Sequence, residues 1–151
     1  MNTYLRHGES SVDTNGFSII TTVSGAFNKE GALVWANAMK RAIERFAGRP
    51  FCILIDMQKQ VGSTPEAIEV YNTFNTWLNE QPLIAKAYVI ASPVLHSITV
   101  ARLPAVSGQN TRTFLCQEHA QKWLAEEYVK QVQVTSIPFL VTKFGTTAGD
   151  E

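Results

Sequence analysis

A segment that runs as a strand into a glycine turn and on into an amphipathic helix, Val23-Ser-Gly-Ala-Phe-Asn-Lys-Glu-Gly31, limits this chain to few folds. It is followed by the apolar run Phe51-Cys-Ile-Leu-Ile-Asp56. Strand, helix and buried strand in that order form the crossover unit of an α/β domain. Five consecutive apolar residues from Phe51 are too many for a half-exposed strand, so helices should cover both faces of the sheet. Asp56, a lone carboxylate closing the run, is expected at the sheet edge where ligands and partners dock.

The rest of the chain fits the same scheme. A weak strand is expected over 4–13, with Asn15-Gly16 as a two-residue hairpin turn and a second, β-branched strand over 17–23 that Gly25 breaks. Asn28 suits the N-cap of a helix over 29–47. Trp35, Met39, Ala42 and Phe46 recur at core spacing along it, widened by Ala36 and Ile43, and Leu33 falls among polar residues. Gly48-Arg49-Pro50 stops that helix. Residues 57–62 read as a loop, and Thr64-Pro65-Glu66 combines an N-cap, a first-turn proline and an acid against the helix dipole. Ala67, Tyr71, Phe74 and Leu78 form the inner stripe of this second helix, with Asn72, Asn75 and Asn79 on its wet side. A strand over 85–91, a short helix opened by Ser92-Pro93, a strand over 111–115 and a helix over 117–130 complete the order ββαβαβαβα. The expected fold class is therefore α/β, a single domain over 1–151 with a mixed, mostly parallel sheet and packed helices.

Past 130 lies an extension, 131–151, in which Val132 and Val134 alternate like an edge strand. The segment Ile137-Pro-Phe-Leu-Val141, with Phe144, is too apolar to stay exposed. Pro138 argues against an unbroken helix there. A two-fold homodimer with 131–144 in its interface is the expectation.

Function classes fall away on composition. A chain of 151 residues can bury a core without metal or disulfide staples. Thirteen basic and thirteen acidic residues cancel, so nothing favours nucleic acid or an anionic surface. No apolar run approaches the ~18 residues of a membrane span, the start lacks a secretion pattern, and Cys52 and Cys116 read as isolated thiols, which together point to the cytoplasm. His7, His96 and His119 are scattered without metal-ligand spacing, so no metal and no cofactor are expected. Cys52 and Asp56 lie on one strand ~13 Å apart by strand rise, too far to act together. No catalytic residue is assigned.

Two features remain. Gly62-Ser63-Thr64 at a helix start could hold an anion or accept a phosphoryl group, or Thr64 could simply cap the helix. Trp35, Tyr71, Phe74 and Trp77 could line an apolar pocket, or be plain core.

Over 17–124 the chain resembles the SpoIIAA-like proteins of the STAS superfamily, also grouped as STAS/SEC14-like. The carriers are Val23-Ser-Gly-Ala-Phe-Asn28, Trp35, Gly48-Arg-Pro-Phe51 with Leu54-Ile-Asp56, and Thr64-Pro65-Glu66-Ala67. Ala85-Lys-Ala87 with Val89, and Ala120 with Trp123-Leu124, complete the set. The resemblance implies a compact module that works by protein association or small-ligand binding, not turnover. Anti-sigma-factor antagonists of this superfamily carry a phosphorylated serine at the start of the second helix, where Ser63 and Thr64 stand here. Those relatives place the serine directly after the aspartate, whereas six residues separate Asp56 from Ser63, so the switch is not carried over. SEC14-like relatives imply a lipid or similar apolar ligand. The sequence thus supports a non-enzymatic binding module with Asp56, Gly62, Ser63 and Thr64 at its working edge. Its first expected partner is a regulatory protein; the alternative is a small apolar ligand.

Overall fold

The computed structural model describes residues 6–148, with side chains described as far as 133. Its elements are β1 (Glu9–Asn15), β2 (Ser18–Phe27), α1 (Lys29–Glu44), β3 (Phe51–Ser63), α2 (Pro65–Leu78), β4 (Leu83–Val89), α3 (Pro93–Val100), β5 (Thr111–Phe114) and α4 (Gln117–Ala148), with a 3-10 turn at Pro104–Gly108. The five strands form one sheet in the order β1-β2-β3-β4-β5. The β1–β2 pair is antiparallel and every later pair is parallel. This is the α/β order expected from the sequence.

Alternation along the strands sorts the core into two halves. Phe51, Ile53 and Ile55 of β3 pack with Tyr88 and Ile90 against α1 and α2, which contribute Trp35, Met39, Ala67, Phe74 and Leu78. Cys52 and Leu54 turn to the other face, where Ala85, Ala87 and Val89 of β4 meet Ala120, Trp123 and Leu124 of α4. Three helix starts are capped as their sequences demand: Asn28 accepts from Gly31 N, Thr64 from Ala67 N and Ser92 from Leu95 N. Gly31 permits a close approach, since a Cβ there would collide with the backbone oxygen of His7. The N-terminal segment is fixed at this point by His7 N donating to Asn28 Oδ1.

Several boundaries move. Asn15 pairs with Ser18, so the hairpin loop is Gly16-Phe17, one residue later than expected, with Gly16 supplying φ +63°. Gly25 (φ +82°) does not end β2; it sits between two register shifts, and the strand bends and continues to Phe27. The expected loop over 57–62 is strand: β3 runs on to Ser63 because β2 runs on beside it, pairing Ser24 with Lys59 and Phe27 with Ser63. Pairing with β4 stops at Asp56 and Val89. Beyond Asp56 the other edge of β3 is therefore open, and its polar residues Gln58, Lys59 and Gln60 suit an edge. Asn75, expected on the wet side of α2, is buried. Helix α4 continues past 130 through Val132, which excludes the edge strand, because no breaker interrupts Gln131-Val-Gln133 and glutamine favours helix. Pro138 lies within that helical span. The side chains of 134–151, on which the expected dimer contact rests, lie outside the described residues.

Candidate functional site

At the carboxyl end of the sheet, α3 lies across the face that carries α1 and α2. None of its eight residues is buried. Its inner edge is His96, Thr99 and Val100, at helical spacing, and these close a cavity of about 60 Å³. The sheet supplies Val23, Ile55, Met57, Gln60, Lys86 and Tyr88 to its walls, α1 supplies Trp35, and α2 supplies Tyr71 and Asn75. Outside it, between α3 and the open edge of β3, runs a groove of about 260 Å³ bordered by Val61, Gly62, Ser63, Ile90, Leu95 and Ile98. Met57, Gln60, His96 and Thr99 border both spaces, so the inner edge of α3 and the side chains of Met57 and Gln60 on β3 lie between them.

Lys86 dominates the chemistry. It is 1% exposed. Its Nζ donates to Asn75 Oδ1 at 2.7 Å and lies 5.3 Å from the centre of the Tyr88 ring. Among the described residues no carboxylate lies within ion-pair distance of it. Burial pushes the ammonium down from 10.5 to about 7, because nothing of opposite sign offsets the lost hydration. Asn75 is shared: Gln109 Nε2 donates to the same Oδ1 at 3.1 Å and to Asn79 Oδ1 at 2.9 Å. Asn79 and Asn72 in turn hold the 3-10 turn through Ala105.

On the opposite wall the His96 ring packs 4.6 Å from that of Tyr88, and its Nδ1 is buried with no hydrogen-bond partner. Burial, then the positive charge of Lys86, lowers the His96 pKa below its usual value. Burial also raises both tyrosines, Tyr88 and Tyr71, the latter opposed by its hydrogen bonds to Ser63 and Gln60. These groups form a neutral polar lining around one unpaired cation.

The sequence-derived site is split by this geometry. Asp56 is half-buried and faces α4: Oδ2 accepts from Gln117 Nε2 at 3.1 Å and Oδ1 from Gln58 N at 3.2 Å. It therefore does not reach the start of α2, because the strand it was expected to end carries on. Thr64 is the helix cap, accepting from Ala67 N at 3.2 Å. Ser63 turns inward, its hydroxyl 3.0 Å from Tyr71 OH and accepting from Gln60 Nε2 at 3.3 Å. Gly62 and Ser63 do border the groove. Of the four aromatics, Trp35 and Tyr71 line the cavity, at 5.8 Å and nearly perpendicular. Phe74 and Trp77 belong to the helix–helix core, with Trp35 and Phe74 5.0 Å apart and Lys40 Nζ over the Trp77 ring. Trp35 is fixed by donating Nε1 to Thr21 Oγ1, which is itself bonded to Ser11 O.

Lys86, Asn75, Tyr88 and His96 are the cavity residues that pattern reading did not bring together. A signal was present in Ala85-Lys-Ala-Tyr-Val89, where period two puts Lys86 and Tyr88 together on the face opposite the two alanines.

Cys52 is buried and its thiol is pushed up to about 12, chiefly by desolvation, so it is an inert core residue. No described helix is long and apolar enough to cross a membrane.

No protein-family model matches the chain, and no curated protein matches it in sequence. A solved structure does match in shape: an uncharacterised protein of the DUF3478 family with a SpoIIAA-like fold, from Shewanella loihica PV-4. The match has a TM-score of 0.61 at 14% identity and covers 82% of this chain and 98% of that one. The chain thus has a SpoIIAA-like fold, the fold that its sequence resemblance implied.

Proposed function

We propose that this chain is a non-enzymatic binding module that holds a small, partly apolar ligand in the cavity and groove beneath α3. The observation that carries the reading is the wall that α3 makes: a capped helix with no buried residue closes a cavity that is otherwise built from rigid core elements. Moving such a helix uncovers little apolar surface, so entry is cheap while the site behind it stays formed. Trp35 on the wall provides a reporter. Native mass spectrometry of the full chain, together with a 1-octanol titration followed by tryptophan emission, tests this. A co-purifying small molecule, or a saturable emission change that Val100→Phe abolishes by filling the cavity, is expected. The absence of both a co-purifying adduct and a response to octanol overturns the reading.

Association with a regulatory protein is the second reading. It is favoured by the exposed apolar residues Val61, Val94, Leu95 and Ile98 clustered on α3 and the free edge of β3. A partner retained on the wild-type chain and lost from Leu95→Glu supports it. Retention on both chains counts against it. Phosphorylation of Ser63 or Thr64 belongs to this second reading and is read from the intact mass of protein from its native cells. Self-association through 131–144 is tested by light scattering on a chain lacking 131–151, which should run as a monomer where the full chain runs as a dimer.

A further inference from the structure

Lys86 sets the chemistry of whatever enters. A buried ammonium has three donors, and this one has a single acceptor among the described residues, the Oδ1 of Asn75. A buried cation without a counter-charge is costly, and an apolar residue in its place is commonly as stable or more so. The cavity beside it holds only about 60 Å³, too little for a chain but enough for a small polar group, whereas the groove of about 260 Å³ outside is bordered by Met57, Val61, Ile90, Leu95 and Ile98. His96 contributes a second feature, a buried Nδ1 with no partner on the shared wall of the two spaces.

We propose that the ligand is a monoanionic amphiphile, a chain-bearing carboxylate, whose head enters the cavity to pair with Lys86 while its hydrocarbon tail leaves under α3 along the groove. The inference rests on the ligand-binding reading above and adds to it the charge and direction of the ligand. One carboxylate accepts from the free donors of Lys86 Nζ and from His96, whose neutral ring can carry its hydrogen on Nδ1. A single negative charge balances the one cation present; a dianionic head leaves a charge unpaired in the cavity. No covalent step is involved.

Octanoate and 1-octanol, equal in chain length, separate the head from the tail. Titrated into the full chain and followed by tryptophan emission and calorimetry, octanoate should bind at least about tenfold more tightly than octanol. Lys86→Met should remove most of that preference, read as the ratio of the octanoate and octanol affinities measured on the same variant, in which Gln109 can still donate to Asn75.

The wild-type protein gives an independent test that does not depend on any variant folding. Octanoate affinity should fall, by up to tenfold per pH unit, as pH rises from about 7 to about 9, because the ammonium is lost, whereas octanol affinity should stay level. The groups that face Lys86 are Tyr88 on its own strand, Tyr71 and Asn75 on α2, His96 on α3 and Gln109 after the 3-10 turn. In that range the two tyrosines, raised by burial, stay protonated, and His96, lowered, stays neutral, which leaves Lys86 as the titrating group. Equal affinities for the two ligands, or a level octanoate profile, overturn the carboxylate assignment while the ligand-binding reading survives. No response to either ligand overturns both.

Discussion

The two faces of the sheet share strands β3 and β4 yet are built to opposite ends. Under α4 the strand residues are small or compact, Cys52, Leu54, Ala85, Ala87 and Val89, and the helix answers with Ala120, Trp123 and Leu124 in an apolar contact. On the other face β4 presents Lys86 and Tyr88, a buried cation and a ring, and α3 covers them without burying any residue of its own. One strand of alternating residues thus makes a closed face and an open one. The larger apolar cluster lies between the sheet and α1 and α2; what sets that face apart from the α4 face is the polar lining and the cavity that α3 covers.

The largest expected effect breaks the closed face. Leu54 is fully buried against α4. Leu54→Ala should cost about 2–5 kcal/mol through lost transfer energy and a residual cavity. The same substitution should leave ligand affinity at the α3 cavity unchanged if the two faces are energetically separate. Chemical denaturation and an octanoate titration on the same sample check both halves; a loss of affinity in the folded variant joins the two faces and defeats the comparison.

The open face should instead reveal itself through pH. Lys86 has a folded pKa of about 7 against an ordinary 10.5, so the unfolded chain binds the extra proton between those values. Lys86 therefore contributes stability that rises with pH from about 7 toward 10.5, on the order of a few kcal/mol. The rise is expected between about 7 and 9, because above 9 the raised Cys52 thiol opposes it as the unfolded chain loses that proton first. His96, also lowered by burial and by Lys86, acts in the same sense at lower pH, where its protonation favours the unfolded chain. Lys86→Met should remove the rise above pH 7 and should be at least as stable as wild type at neutral pH. Denaturation midpoints across pH test this, and an unchanged profile in the variant takes Lys86 out of the account.

These effects also mark how far the sequence could be read. Helix starts were legible because capping chemistry is local: Asn28, Thr64 and Ser92 each cap the helix that their neighbours predict. The order of elements and the mostly parallel sheet followed from alternating strands and helices. The extent of β3 was not legible, since residues 57–62 are polar and only their partner β2, bent at Gly25, keeps them in strand. That misjudgement carried Asp56 with it; it serves Gln117 of α4 and not the start of α2. Lys86 and Asn75 were missed for a related reason. A lysine and an asparagine look like surface residues until two elements 11 positions apart place them 2.7 Å from each other. The aromatic pocket was half-legible, because spacing identifies one helix face but not which of its residues meets packing and which meets space.

A smaller effect distinguishes the residues once grouped at a single working edge. Thr64→Ala should cost on the order of 1 kcal/mol by freeing the amide of Ala67. Asp56→Ala also removes hydrogen bonds, to Gln58 N and Gln117, but on the α4 side. It should therefore destabilise by about 1 kcal/mol without touching octanoate affinity. Ser63→Ala releases the Tyr71 hydroxyl beside the cavity and should alter affinity more than stability. Melting temperatures and titrations of the three variants sort them, and an Asp56→Ala variant with weakened binding puts that carboxylate back in the site.

The smallest expected effect lies on neither face and calibrates the comparison. Helix α1 ends in a tight turn in which Ala47 N donates to Glu44 O and Arg49 N to Phe46 O. Ala47 adopts φ 52°, the one non-glycine residue with positive φ among those described, and Gly48 follows at φ 85°. A Cβ in the left-handed region is disfavoured by about 1–2 kcal/mol, and a glycine there removes that strain while adding freedom to the unfolded chain. Ala47 is exposed, so no packing is lost. Ala47→Gly should raise stability by about 0.5–1 kcal/mol with the denaturant slope unchanged. Octanoate affinity should not move, because neither sheet face is touched. A stabilised variant with altered affinity would show that binding follows global stability; equal affinity at higher stability ties it to the α3 face.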